Sequence, residues 1–227
     1  MKLFKSRRKR VKRLLLVILP FFLMMLIFAF CAYRTISGKV SDATGTNNSP
    51  TSSKNVIDSM GYKLRDNATD LQKEYFAELK KAVEDGTDKG EIARQVAKNY
   101  VADFYTWSNK RGSYDVGGLC YVHAESTGNV YARAKDGYYK YVTYYINELG
   151  AKNLLEVSSV EVSGGDKTGT FELNGKVYDS YFITCDWTYD NEDNLAPVTR
   201  NFVKREYFNV IEREDGRFEI VEAYGDN

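Results

Sequence analysis

Apolar positions along this chain follow three successive patterns: one unbroken run, then a period near 3.6, then a period of 2. The unbroken run is Leu14 to Ala32, uncharged throughout. At about 1.5 Å of rise per residue it makes a helix of roughly 28 Å, close to the hydrocarbon thickness of a bilayer. Further on, Leu71, Tyr75, Phe76, Leu79 and Val83 recur at helical spacing. Thr69 and Gln72 have the spacing of a capping box before them, and Gly86 stops the pattern. A second helix is predicted from near Asp88, with Glu91 three residues on, to about Ser108, along Ile92, Val96, Tyr100, Val101 and Phe104. Leu119 to Ala124 fits either a helical turn or a short strand. A third helix is predicted from about Asn129 to Leu149, closed by Gly150.

The period then changes to 2. Leu154 to Val162 is rich in β-branched residues, and Tyr181, Ile183, Cys185, Trp187 and Tyr189 alternate with Phe182, Thr184, Asp186 and Thr188. Such alternation predicts a half-buried strand. Asn174-Gly175 and Asp215-Gly216 are two-residue hairpin signals; the second pairs Thr199 to Arg213 with Arg217 to Tyr224. Gly117-Gly118 and Gly164-Gly165 read as turns, since neither has the strand, helix and lysine of a phosphate loop. Helices first and an antiparallel sheet afterwards predict an α+β domain, three helices packed on one face of a curved sheet.

The polar segments give the apolar run its meaning. Eight cations precede it: Lys2, Lys5, Arg7, Arg8, Lys9, Arg10, Lys12 and Arg13. Positive charge stays on the cytoplasmic side, so residues 1–13 read as a cytoplasmic tail and 14–32 as a single transmembrane signal-anchor. A cleaved signal peptide fits less well, because its apolar stretch is shorter and the run here ends Phe28-Ala29-Phe30-Cys31-Ala32. Residues 33–66 are expected to be a flexible tether, on the Ser, Thr, Gly and Asn content of Arg34 to Asn55. A coil of those 22 residues reaches about 25 Å. Residues 67–227 are expected to form the extracytoplasmic α+β domain.

Charge and cysteine usage narrow the partners. The chain has 32 basic and 31 acidic residues. Without the tail's eight cations, 24 face 31, so the external part is acidic and a nucleic-acid partner is not expected. Cys31 lies in the anchor. Cys120 and Cys185 read either as two small buried hydrophobes or as a bridge formed outside the cell.

Candidate chemistry is sparse. His123 is the sole histidine, which excludes a histidine pair or a His-rich metal site. Asp186, Asp190, Glu192 and Asp193 lack the glycine and terminal glutamate of a calcium loop and read as a solvated acidic loop. No catalytic, cofactor or metal residues are assigned, and the chain is not expected to be an enzyme. The unusual feature is tyrosine, 18 of 227 residues, dense in Tyr138, Tyr139, Tyr141, Tyr144 and Tyr145. Positions 138, 141, 145 and 149 share one face of a continuous helix. Because Tyr is favoured at interfaces, Tyr138, Tyr141 and Tyr145, with Trp187, are the candidate interaction residues.

An anchor, a tether, three helices and a curved antiparallel sheet together resemble the nuclear-transport-factor-two-like cone. With the single crossing, the chain resembles the bitopic inner-membrane assembly factors of type IV secretion and conjugation machines and their Gram-positive relatives. The passages that carry the likeness are Ala93-Arg94-Gln95-Val96-Ala97-Lys98-Asn99-Tyr100-Val101-Ala102-Asp103-Phe104-Tyr105 and the sheet from Tyr181 to Tyr224. The family's short strand motifs have no copy here. The resemblance implies a membrane-anchored scaffold that binds envelope proteins and itself, in conjugation or type IV secretion. The alternative expectation is a small-ligand or enzymatic cone, with Asp186 or His123 as acid or base among tyrosine hydroxyls.

Overall fold

The computed structural model describes residues 55–195, 198 and 202–225. The basic tail, the apolar run 14–32 and the tether as far as residue 54 lie outside the described residues. Among the described residues no helix is long and apolar enough to cross a membrane.

Order begins earlier than composition suggested. Residues 55–66, read from the sequence as the end of the tether, carry two short paired strands, β1 (Val56–Ile57) and β2 (Tyr62–Lys63). Ile57 and Tyr62 are buried, and the Tyr62 hydroxyl donates to the backbone carbonyl of Phe218 near the other end of the chain. One large ring buried this way stabilises by roughly 1.5–3 kcal/mol, enough to fix a hairpin too short to stand alone.

Helix α1 runs Asp70–Glu84. Its start is the expected reciprocal cap: the Gln72 N–H donates to Thr69 Oγ1 at 3.3 Å, and the Thr69 N–H to Gln72 Oε1 at 3.0 Å. Helix α2, Lys89–Phe104, starts where Asp88 accepts from the Glu91 N–H. It stops four residues short of Ser108. The reason is a competing acceptor: the Trp107 and Ser108 N–H groups donate to the Leu155 carbonyl at 2.7 and 3.0 Å, which turns the chain toward the sheet.

The expected third helix is in fact two, so four helices pack on the sheet. After a 3-10 turn at Leu119–Tyr121 come α3, Ala124–Asp136, and α4, Val142–Leu149. Helix α3 begins five residues before the expected start because its first turn, Ala124 to Gly128, has no apolar period to announce it. Gly137 breaks the helix, and the Tyr139 N–H returns to the Ala134 carbonyl at 2.8 Å. The break drives Tyr139 and Val142 into the core, both fully buried. The single face through 138, 141, 145 and 149 therefore does not exist. Tyr141 is exposed instead.

Four strands follow in order β3 (Glu156–Leu173), β4 (Lys176–Asp190), β5 (Arg205–Glu212) and β6 (Phe218–Gly225), all antiparallel neighbours. Asn174 and Gly175 have φ of 53° and 75° and join β3 to β4 at the expected place. Gly216, φ 80°, turns β5 into β6 where the Arg213 N–H meets the Arg217 carbonyl at 2.8 Å. The β4 alternation is as predicted, with Tyr181, Ile183, Cys185, Trp187 and Tyr189 buried and Phe182 outside.

Gly164-Gly165 is not a turn between elements. It lies inside β3, beside a register shift against β4, with φ of 84° and 96°. There a Cβ on Gly90 would come within 2.0 Å of the Gly165 carbonyl oxygen, so two facing glycines let the start of α2 touch the sheet backbone to backbone. That approach seats α2 across the sheet and leaves an opening at its far end, between the α2 C-terminus, α3 and strands 205–212 and 218–225.

Candidate functional site

Residues from four elements line that opening. The end of α2 supplies Tyr100, Phe104 and Tyr105; α3 supplies Asn129 and Arg133; β5 supplies Glu206; β6 supplies Glu222 and Tyr224. Together with Tyr138 they enclose a pocket of about 620 Å³. The walls are held by ring packing. Tyr100 stacks on Phe104 at 5.0 Å between centroids, Tyr138 lies 5.8 Å from Phe104, and Tyr105 stacks on Trp187 at 4.3 Å. The Tyr138 hydroxyl donates to the Tyr105 carbonyl at 3.0 Å and lies 3.3 Å from the Tyr189 hydroxyl.

Glu206 is the unusual residue. On β5 it shares the inward side with Phe208 and Val210, both fully buried, and it faces Cys185 across the β4 pairing. Burial pushes its carboxyl up to about 7, although the Tyr105 hydroxyl donates to it and pulls the other way. Oxygen Oε2 is shielded from solvent and has no hydrogen-bond partner among the described residues. Burial likewise holds the phenols of Tyr100, Tyr105 and Tyr138 far above their ordinary range. Glu222, by contrast, is engaged: its Oε2 accepts from Asn209 Nδ2 at 2.6 Å and from the Tyr224 hydroxyl.

The four candidate interaction residues separate. Tyr138 and Trp187 meet in one aromatic cluster through Tyr105, and Trp187 is buried there. Tyr145 packs partly against the core and lies 5.1 Å from the Tyr144 ring. Tyr141 faces solvent. Beside it, Tyr114 and Tyr144 are more than half exposed, at 60% and 56%. Ser113 fixes Tyr114 next to α4, because its N–H donates to Thr143 Oγ1 at 2.8 Å and its hydroxyl to the Lys140 carbonyl at 3.1 Å. Tyr114, Tyr141 and Tyr144 are thus three exposed rings on or next to α4, which counting along one helix did not reveal.

The two acid or base candidates are not in the pocket wall. His123 caps α3 and its Nδ1 lies 2.6 Å from Glu219. Asp186 lies on β4 and pairs with Arg205 at 2.7 Å. Glu206 gives no cluster signal in the sequence, because it stands apart from the other acids. Its signal was a carboxylate at an inward position of an alternating strand.

A second charged group lies where α2 meets the following loop. Lys110 is fully buried, with Nζ 3.0 Å from Asp103 Oδ1 and 2.8 Å from Asn109 Oδ1. Arg65 reaches Asp103 at 3.2 Å and Asp115 at 2.7 Å. Burial lowers the Lys110 ammonium to about 8 against the pull of Asp103. Burial also acts to raise Asp103, but Lys110, Arg65 and the Gly118 N–H outweigh it and hold the carboxyl below its usual range. These groups are paired with one another, and they fasten the loop and Arg65 onto α2. Among the described residues no three His, Cys, Asp or Glu side chains are arranged to hold a metal ion. Cys120 and Cys185 are both free thiols, and burial raises both.

No family model, no curated protein and no solved structure matches this chain.

Proposed function

We propose that this chain is a single-pass membrane protein whose extracytoplasmic domain is a protein-interaction scaffold of the cell envelope. Residues 14–32 cross the bilayer with the amino terminus in the cytoplasm, and the remainder stands outside on a short polar tether. The domain is a cone of the nuclear-transport-factor-two-like kind. Its order of helices, followed by an antiparallel meander, supports that reading, as does the likeness to the bitopic assembly factors of type IV secretion and conjugation. On that likeness the chain is a component of such a machine, binding other envelope proteins and itself.

The observation that carries the scaffold reading is the exposure of Tyr114, Tyr141 and Tyr144. Rings of this size, amphipathic and of low side-chain entropy, are favoured at protein interfaces. The test places a photo-crosslinking amino acid at Tyr144 in the full-length chain in intact cells. A defined adduct, with another envelope protein or a second copy, that disappears in the Tyr114→Ser/Tyr141→Ser double variant is expected. Absence of any adduct at Tyr144, alongside normal insertion, would defeat the scaffold reading.

A second reading is favoured by a separate observation, the pocket at the open end of the sheet with its shielded carboxyl. It makes the domain a tethered receptor for a small ligand. Such a pocket is of the size that holds metabolite-sized molecules.

A further inference from the structure

We infer that the pocket walled by Tyr100, Phe104, Tyr105 and Tyr138 is a binding site for a small organic cation, an amine or guanidine on an apolar body, with Glu206 as its counter-ion. This specifies the ligand of the second reading above and rests on it.

Three observations lead to a cation. Glu206 lines the pocket, and its Oε2, shielded from water, has no donor among the described residues, so the fold leaves this carboxyl short of partners. Buried carboxyls ordinarily have a full set of donors, and one that lacks them attracts a charged N–H group entering the pocket beside it. Next, the walls are aromatic, and the faces of Tyr and Phe rings attract a positive charge. Finally, the charges are unequal in depth. Arg133 is exposed on α3, whereas Glu206 is largely enclosed. A charge held away from solvent acts in a lower dielectric and sets the preference of the interior. Glu222 is the weaker competitor, since Asn209 and the Tyr224 hydroxyl already donate to its Oε2.

The groups facing Glu206 are Tyr100 and Tyr105 from α2, Arg133 from α3, Tyr138 from the link, Cys185 and Tyr189 from β4, and Glu222 and Tyr224 from β6. Burial keeps the phenols of Tyr100, Tyr105, Tyr138 and Tyr189 and the Cys185 thiol protonated through neutral pH. The cation binds the ionised form of Glu206, so its affinity rises with pH as that carboxyl, held near 7, gives up its proton.

The test is calorimetric titration of the full-length chain in nanodiscs of uncharged lipid. Benzylamine, benzyl alcohol and benzoate serve as probes of similar body and different charge. Benzylamine is expected to bind in preference to the other two, about tenfold more weakly at pH 6 than at pH 8, following the ionised fraction of a group near 7. Glu206→Gln should weaken it by roughly tenfold or more, because the counter-charge is lost. Glu222→Gln should change it less than about threefold, since that group is already engaged. Circular dichroism and urea denaturation verify that both variants fold. Benzoate or benzyl alcohol binding better than benzylamine would overturn the cation and leave the pocket. Benzylamine binding equally well to Glu206→Gln would overturn the counter-ion. If none of the three binds at millimolar concentration, the ligand reading itself falls.

Discussion

His123 Nδ1 and a carboxylate oxygen of Glu219 lie 2.6 Å apart across 96 positions of sequence, joining the start of α3 to the last strand. Glu219 is wholly buried, and Arg213 and Arg217 each approach its other oxygen at 3.2 Å. An imidazole and two guanidinium groups therefore converge on one enclosed carboxylate. Replacing Glu219 by Ala removes the one enclosed charge that these groups share. Removal of one member of such a group destabilises by about 3 kcal/mol or more. Urea denaturation should show that loss, with His123→Ala costing clearly less, since it leaves both arginines paired.

Glu206 gives a pH dependence whose sign is fixed by its environment. Its carboxyl is raised in the fold from 4.5 to about 7, so between those values the folded state holds a proton that the unfolded state has released. Stability from this group is complete below 4.5 and is lost as pH rises to about 7. Glu206→Gln removes the titration. At pH 8 the variant is expected to be more stable than the parent by about 1–2 kcal/mol, discounted for partial exposure, and at pH 4 to differ little. Denaturation midpoints at the two pH values measure it; an unchanged difference between them would show that the fold does not raise the Glu206 carboxyl.

Asp103 and Lys110 are unequal partners. Lys110 is fully enclosed and depends on Asp103, while Asp103 also has Arg65 and the Gly118 N–H, the latter at 2.7 Å. Asp103→Ala strands a buried ammonium and should cost about 3–5 kcal/mol. Lys110→Met keeps the volume and leaves Asp103 served, so its cost is expected to stay under about 1.5 kcal/mol. Thermal unfolding of the two single variants distinguishes them.

Glycines in the long strand β3 differ in what they tolerate. At Gly164, φ 84°, a Cβ would stand 2.4 Å from the Phe182 carbonyl oxygen, while at Gly169 nothing lies within 4 Å. Gly164→Ala should destabilise by about 1–3 kcal/mol through strain and collision, and Gly169→Ala should be neutral to within about 0.5 kcal/mol. Chemical denaturation of both variants provides the comparison.

The sequence disclosed those parts of the fold governed by local chemistry. Thr69 with Gln72 and Asp88 with Glu91 mark both helix starts because the caps lie within four residues of what they cap. The turns at Asn174-Gly175 and Asp215-Gly216, and the alternation of β4, are equally local. What stayed hidden was set by distant groups. Helix α2 ends where Leu155 draws off its next N–H groups, and the helix break at Gly137 is stabilised by Tyr139 reaching the Phe104 carbonyl. Neither partner is near in sequence. The hairpin at 55–66 looked too polar to fold because its burial rests on few side chains, Ile57 and Tyr62 above all, and the Phe218 carbonyl that holds Tyr62 is distant in sequence. At the site, Tyr138 and Trp187 were readable from composition, but Glu206 required knowing which side of β5 faces inward.

The place where Tyr62 grips Phe218 also decides how the domain responds to force. Any pull arriving through the residues before Asn55 reaches the β1–β2 hairpin first, and that hairpin hands the load to the final hairpin through the Tyr62 hydroxyl and the Arg217 guanidinium stacked 5.5 Å from its ring. Strands of two residues each have little shear strength. Under tension this clasp should peel away before the sheet yields, freeing about a dozen residues while the rest of the domain stays whole.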